Sequence, residues 1–143
     1  MMNEFVTKEI AEKLNKIMYN VHCSTFYVIE NFTAECIDDN GDVYEVDFEE
    51  DELYLNYPIK YQNYKDKCIP AFKIDDVLRW LRNYKNIFIL PHFDQIESKW
   101  FVYVSEQNLP QDFPIYVSKL FFETYEEAAL HGIEYFINEN LKN

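Results

Sequence analysis

A chain of 143 residues with 18% aromatic side chains can close one hydrophobic core without disulfides or metal, so the expectation is a single domain over residues 1–143. Only two glycines, Gly41 and Gly132, are present, which rules out a P-loop, a G-x-G-x-x-G fingerprint and a nucleophile elbow; the three scattered cysteines, Cys23, Cys36 and Cys68, give neither a disulfide framework nor a C-x-x-C motif. The net charge of −13, with Arg79 and Arg82 as the only arginines, opposes direct binding of nucleic acid or an anionic membrane, and the charged start MMNEFVTKEI without any long apolar run predicts a soluble cytoplasmic protein.

In chain order, Thr7 is placed to cap a first helix reaching about Tyr19. Ile10, Leu14, Ile17 and Met18 form its apolar face, and Glu9→Lys13 and Glu12→Lys16 are i,i+4 pairs on the other. Cys23 to Glu30 reads as a strand. Thr33–Asp39 and Asp42–Phe48 read as a hairpin around Asn40-Gly41, the strongest short-range hairpin signal. With Asn40-Gly41 as a two-residue loop, Asp39 faces Asp42, Ile37 faces Tyr44 and Glu35 faces Val46. The core face then carries Ile37, Tyr44, Val46 and Phe48.

Residues 53–69 read as an irregular segment anchored by Tyr54, Tyr57, Tyr61 and Tyr64, with a short helical turn after Pro58. After Pro70 comes a clear helix ending near Tyr84, striped by Ile74, Val77, Leu78 and Leu81. Asn86–His92 and Lys99–Ser105 look like strands joined by FDQIES, and Ile115–Phe122 like a third. A last helix opens with T-Y-E-E, a capping box of Thr124 and Glu127, and carries Ala129, Ile133, Phe136, Ile137 and Leu141 on one stripe. The predicted class is α+β: a mainly antiparallel sheet of about five or six strands, with three helices packed mostly on one face.

Three stretches, FVTKEIAEKLNKI, IPAFKIDDVLRWLRNYKNIFI and TYEEAALHGIEYFI, together resemble a family of short uncharacterised proteins of bacterial genomes, phages and prophages. Where that pattern has a small residue and glycine after the first helix, this chain has Met18-Tyr19-Asn20. The resemblance implies a phage or mobile-element setting and supplies no catalytic residues.

Asp38, Asn40, Asp42 and Glu49 fall at positions 1, 3, 5 and 12 of a calcium-loop template, but Val43 stands where the glycine of the sharp turn belongs, and a hairpin turn is the better reading. His22, His92 and His131 are scattered, and no metal site, cofactor or catalytic residue is assigned.

Charge, by contrast, is concentrated. Between Ile17 and Ile59 there are eleven acids and no lysine or arginine. The candidate partner-binding residues are Asp38, Asp39, Asp42, Glu45, Asp47, Glu49, Glu50, Asp51 and Glu52, read as a docking surface for a basic protein. The competing account is a solvated loop whose charge discourages strand pairing.

A second surface comes from the later strands, where Trp100, Val102 and Val104 back onto Phe101 and Tyr103. Such a two-sided apolar sheet is covered either by the tyrosine segment or by a second copy in a homodimer. The leading expectation is a non-enzymatic acidic interaction module. The alternatives are a ligand-binding protein or enzyme with a pocket lined by Tyr54–Tyr64 and His92, and a self-associating structural component.

Overall fold

The computed structural model describes residues 4–17, 25–55, 57, 64, 66–106 and 115–140. The chain forms two compact units, one of Thr7–Phe72 and one of Met1–Val6 with Lys73–Asn143. The class is α+β with antiparallel strand pairing, as the sequence predicts. Among the described residues the strands form three small sheets, however, and not one sheet of five or six.

In the unit Thr7–Phe72, helix α1 (Lys8–Leu14) starts where expected, with the Thr7 hydroxyl accepting from the Ile10 N–H at 3.3 Å. It buries Ile10, Ala11 and Leu14 and is shorter than predicted; residues 18–24, including Cys23 and the expected helix end, lie outside the described set. Of the two expected helix pairs, only Glu9–Lys13 is formed, at 3.7 Å.

Strand β1 (Phe26–Val28) is the middle of a three-stranded sheet. It pairs with β4 (Leu53–Tyr54) on one side and β5 (Cys68–Pro70) on the other. Residues 53–69 read as irregular in sequence because two- and three-residue strands are too short to reveal a period of two. Pro58 and Tyr61 lie outside the described residues, so the expected helical turn there is not addressed.

Strands β2 (Phe32–Ile37) and β3 (Val43–Phe48) form the expected hairpin, in a different register from the one predicted. Cys36 faces Tyr44, Ala34 faces Val46 and Phe32 faces Phe48. The loop is one residue longer than a two-residue turn. Asp38 N–H donates to Asp42 O at 3.0 Å, Gly41 N–H donates to Asp38 O at 3.0 Å, and Gly41 sits at φ +84°, a turn followed by a left-handed bulge residue. A slip of one residue exchanges the faces of one strand. Ala34 and Cys36 are therefore buried, while Ile37, expected in the core, is 57% exposed. On β3 the expected face holds: Phe48 is buried and Val46 half-buried, although Tyr44 remains 41% exposed.

The inward faces meet in an aromatic cluster. Phe48 contacts Phe26 at 5.5 Å, Phe32 at 4.9 Å, Tyr54 at 4.8 Å and Tyr57 at 5.4 Å, and Tyr64 stacks on Phe32 at 5.0 Å. Those tyrosines thus complete the core of their own unit.

In the other unit, helix α2 (Ile74–Trp80) buries Ile74, Val77 and Leu78 and runs on as a π-helical turn, Leu81–Lys85. Asn86, left-handed at φ +55°, ends it by donating its N–H to Leu81 O. Strands β6 (Ile87–Asp94), β7 (Lys99–Glu106) and β8 (Tyr116–Val117) form a sheet in that order. The predicted third strand is broken after Val117. Ser118 N–H donates to Val102 O and Phe122 N–H to Trp100 O, so extra residues bulge out between two rungs of the ladder.

Helix α3 (Tyr125–Asn140) is capped by Thr124, whose hydroxyl accepts from Glu127 N–H at 3.1 Å, while the Glu127 carboxylate accepts from Glu123 N–H. Its buried stripe, Ala129, Ile133, Phe136 and Ile137, lies on one face of β6 and β7. The opposite face carries Phe101, Tyr103 and His92, with Leu90 40% exposed.

Gly132 is what brings α3 so close to this sheet. A Cβ built there would stand 2.5 Å from the Ile89 Cγ2 methyl and 3.1 Å from that of Val102. Alanine gains about 1 kcal/mol of helix propensity over glycine, but overpacking against two β-branched side chains costs roughly 1–3 kcal/mol. Gly132→Ala is expected to lower the urea midpoint without changing the slope; a stabilised variant would mean the helix has room to move away.

Candidate acidic docking site

Local chemistry places the nine acids of the candidate site in three settings. At the hairpin tip, the Asp38 carboxylate accepts from both Asn40 N–H and Asp42 N–H at 2.9 Å. Asp38 thereby builds the longer loop, while the side chains of Asp39 and Asp42 stay exposed. The unfavourable Asp39–Asp42 pair expected from the two-residue loop is not formed. Asp38, Asn40 and Asp42 form a side-chain-capped turn instead of a calcium loop, and among the described residues no group of three or more His, Cys, Asp or Glu is arranged to hold a metal ion.

On the outward face of the ribbon, the observed register sets Glu35 directly opposite Glu45 and Thr33 opposite Asp47. The Thr33 hydroxyl donates to Asp47 Oδ1 at 2.7 Å; the Glu35–Glu45 pair is a like-charge contact that costs a few tenths of a kcal/mol in isolation. Nearer the tip, the same face carries the exposed pair Ile37 and Val43.

The third setting is the turn 49–52, and it differs from a loose charged loop. Each of its four N–H groups has a partner within the unit. Glu49 N–H donates to the Tyr54 hydroxyl at 2.9 Å, Glu50 N–H to Asn31 Oδ1 at 2.6 Å, Asp51 N–H to Val28 O at 2.9 Å and Glu52 N–H to Glu49 O at 3.3 Å. Val28 N–H in turn donates to Glu52 O at 3.1 Å, so the turn is held to β1 from both sides. Asp51 takes the left-handed φ of +69°, which aspartate tolerates better than most residues. Backbone order thus coexists with exposed carboxylates.

Of the nine acids, only Asp51 has an ion pair among the described residues, to Lys8 of α1. That hydrogen bond is the main reason the Lys8 ammonium is pushed above its ordinary 10.5, with burial opposing it and the charge of Asp51 adding to it. The other eight carboxylates have no ion-pair partner among the described residues. The sequence singles out Tyr54 as an anchor of its segment but not as the acceptor for Glu49 N–H, and it does not single out Asn31 at all: one asparagine among thirteen and one tyrosine among twelve give no local signal of which N–H groups they accept from.

The features of the other readings lie elsewhere. Cys36 and Cys68 are free and buried; burial pushes Cys36 up and Cys68 to about 12, so neither is poised as a thiolate. Tyr54, Tyr57 and Tyr64 belong to the aromatic core of Thr7–Phe72, whereas His92 stacks on Phe101 at 5.7 Å in the other unit. A cleft of about 310 Å³ in that second unit, between the end of β7 and the last turns of α3, is edged by Lys85, Glu106, Tyr135 and Glu139. Beside it Tyr116 stacks on Tyr135 at 4.0 Å and its hydroxyl meets His131 Nε2 at 2.7 Å. Among the described residues no helix is long and apolar enough to cross a membrane. No family model, curated protein or solved structure matches the chain.

Asp38→Ala removes both side-chain hydrogen bonds of the loop and is expected to cost about 1 kcal/mol in urea denaturation, while Asp39→Ala stays within about 0.5 kcal/mol. Equal effects would mean that Asp38 does not hold the register. For Lys8, whose folded pKa is raised, the stabilisation is fully present below pH 10.5 and lost as pH rises through the raised value. Because Asp51 is largely exposed, it amounts to a few tenths of a kcal/mol. The stability gap between the native chain and Lys8→Met should therefore narrow above pH 10.5, and a gap constant across that range would exclude the pair as its source.

Proposed function

We propose that the chain is a non-enzymatic interaction module that docks residues 38–52 on a basic protein surface. The observation that carries this reading is the turn 49–52, where every N–H group is tied to the fold while the carboxylates of Glu49, Glu50 and Glu52 have no ion-pair partner among the described residues. A charge run that serves only solubility needs no such anchoring. Anchoring matters for binding because side chains on an ordered backbone lose less freedom when a partner arrives, so more of the electrostatic attraction is kept as affinity. The uneven field, eleven acids against no lysine or arginine between Ile17 and Ile59, would also steer a cationic partner to this end of the sequence and speed encounter.

The test compares two variants of equal net charge. In one, Glu49, Glu50, Asp51 and Glu52 are changed to their amides; in the other, the exposed acids Glu12, Asp75, Glu97 and Glu106 are changed instead. Fluorescence anisotropy with a labelled lysine-rich peptide should show the native chain binding at low salt and weakening steeply as salt rises. The first variant should lose about tenfold or more in affinity, equivalent to roughly 1.4 kcal/mol, and the second much less. Equal losses would mean that net charge alone attracts the peptide, and docking through this block would be wrong.

A further inference from the structure

Among the described residues the β2–β3 ribbon is a two-stranded sheet, so each strand has one side without a neighbouring strand there. Which backbone groups face those open sides follows from the hairpin. Asp38 N–H donates across to Asp42 O, so this pair is hydrogen-bonded, and in an antiparallel ladder the next such pairs are Cys36–Tyr44, Ala34–Val46 and Phe32–Phe48. The intervening residues, Thr33, Glu35 and Ile37 on one strand and Val43, Glu45 and Asp47 on the other, turn their N–H and C=O outward. The close Thr33–Asp47 side-chain bond fits, since side chains approach most nearly in the non-hydrogen-bonded pairs. No backbone hydrogen bond reaches these six outward-facing residues from another segment among the described residues.

The two open edges are unequal. Beside β2 the core-facing residues Ala34 and Cys36 are already buried and Phe32 is stacked on Tyr64, so an added strand would meet occupied space. Beside β3, Tyr44 is 41% exposed, Val46 only half-buried, and Val43, Glu45 and Asp47 are open to solvent. The long edge of the other unit offers a contrast. There Val102 exchanges hydrogen bonds with Ser118 on its β8 side, so Pro91, opposite Val102, turns toward the free edge of β6, where it has no N–H to offer. That edge is blocked by proline and that of β3 is not.

Charge selects the occupant. A second copy of this chain adding along β3 would bring Glu45 and Asp47 beside the same acids, a like-charge contact at each rung. A strand with basic side chains at alternate positions would lay them against Glu45 and Asp47 and its intervening apolar side chains over Tyr44 and Val46. We infer that the free edge of β3, through Val43, Glu45 and Asp47, accepts an extended basic segment of a partner protein as an added strand. This rests on the docking reading above and specifies its mode. Main-chain hydrogen bonds supply affinity, and the alternation of acid and apolar neighbours supplies the sequence preference.

The probe is a short peptide of alternating lysine and valine, compared with a block peptide of the same composition and with versions N-methylated at alternate residues in each of the two registers. With the full chain, the alternating peptide should bind about tenfold more tightly than the block peptide, and methylation in one register alone should remove that advantage. Amide hydrogen exchange should slow at Val43, Glu45 and Asp47 and stay unchanged at Thr33, Glu35 and Ile37. Glu45→Gln should weaken binding while keeping this protection, and Glu45→Pro, which removes an outward N–H without touching the β2–β3 ladder, should abolish it. Binding that is indifferent to methylation, or to the order of the residues, overturns strand addition yet leaves charge-driven docking standing. No salt-dependent binding of any of these peptides overturns both.

Discussion

The turn from Asp38 to Asp42 decides what the hairpin presents. Its extra residue relative to a two-residue loop is stabilised by one carboxylate that accepts two backbone N–H groups and by a glycine that takes a positive φ without strain. Everything downstream on β2 depends on it. With this register Cys36 and Ala34 fill the core and Glu35 stands outside opposite Glu45; with the other, two buried positions would hold Glu35 and Thr33. Burying an unpaired carboxylate is far costlier than exposing Ile37, so the apolar core and the turn chemistry select the same register.

The aromatic cluster around Phe48 packs behind the ribbon in that register. Phe48 is the last residue of β3 and touches rings from β1, β2 and β4, so the chain leaving the strand cannot drift. The acidic turn follows at once and closes onto Val28 and Tyr54. An apolar interaction thereby positions a polar surface: the rings sit on the inward side of β3, and the carboxylates of Glu45 and Asp47 project from the other because side chains alternate. The cost of like charges side by side is small for exposed groups and is outweighed by burial of the rings behind them.

Acid concentrated on the ribbon gives a physical basis for the proposed partner: like charge opposes the approach of a second copy or of phosphate-bearing polymers, and a chain of opposite charge is what the proposal places along β3. Open edges are ordinarily a liability that proteins cover or block, as Pro91 does for β6. In the proposed docking mode, the like charges lining the β3 edge oppose an identical chain and attract a basic strand.

Much of this protein was legible from residues alone. Thr7, Thr124 and the stripes Ile74–Leu81 and Ala129–Ile137 located helices because caps and a period near 3.6 are local properties. Asn40-Gly41 located the hairpin, and the run from Asp47 to Glu52 located the acidic block. What required the tertiary structure was everything set by distant partners. The register followed from a side-chain bond of Asp38 and from which face could be buried; β4 and β5 exist only because β1 pairs with them; and the acidic turn is ordered only because Asn31, Val28 and Tyr54 take up its N–H groups. Periodicity and capping are written within a few neighbouring residues, whereas pairing and anchoring are decided by whichever groups the folded chain brings within hydrogen-bonding reach.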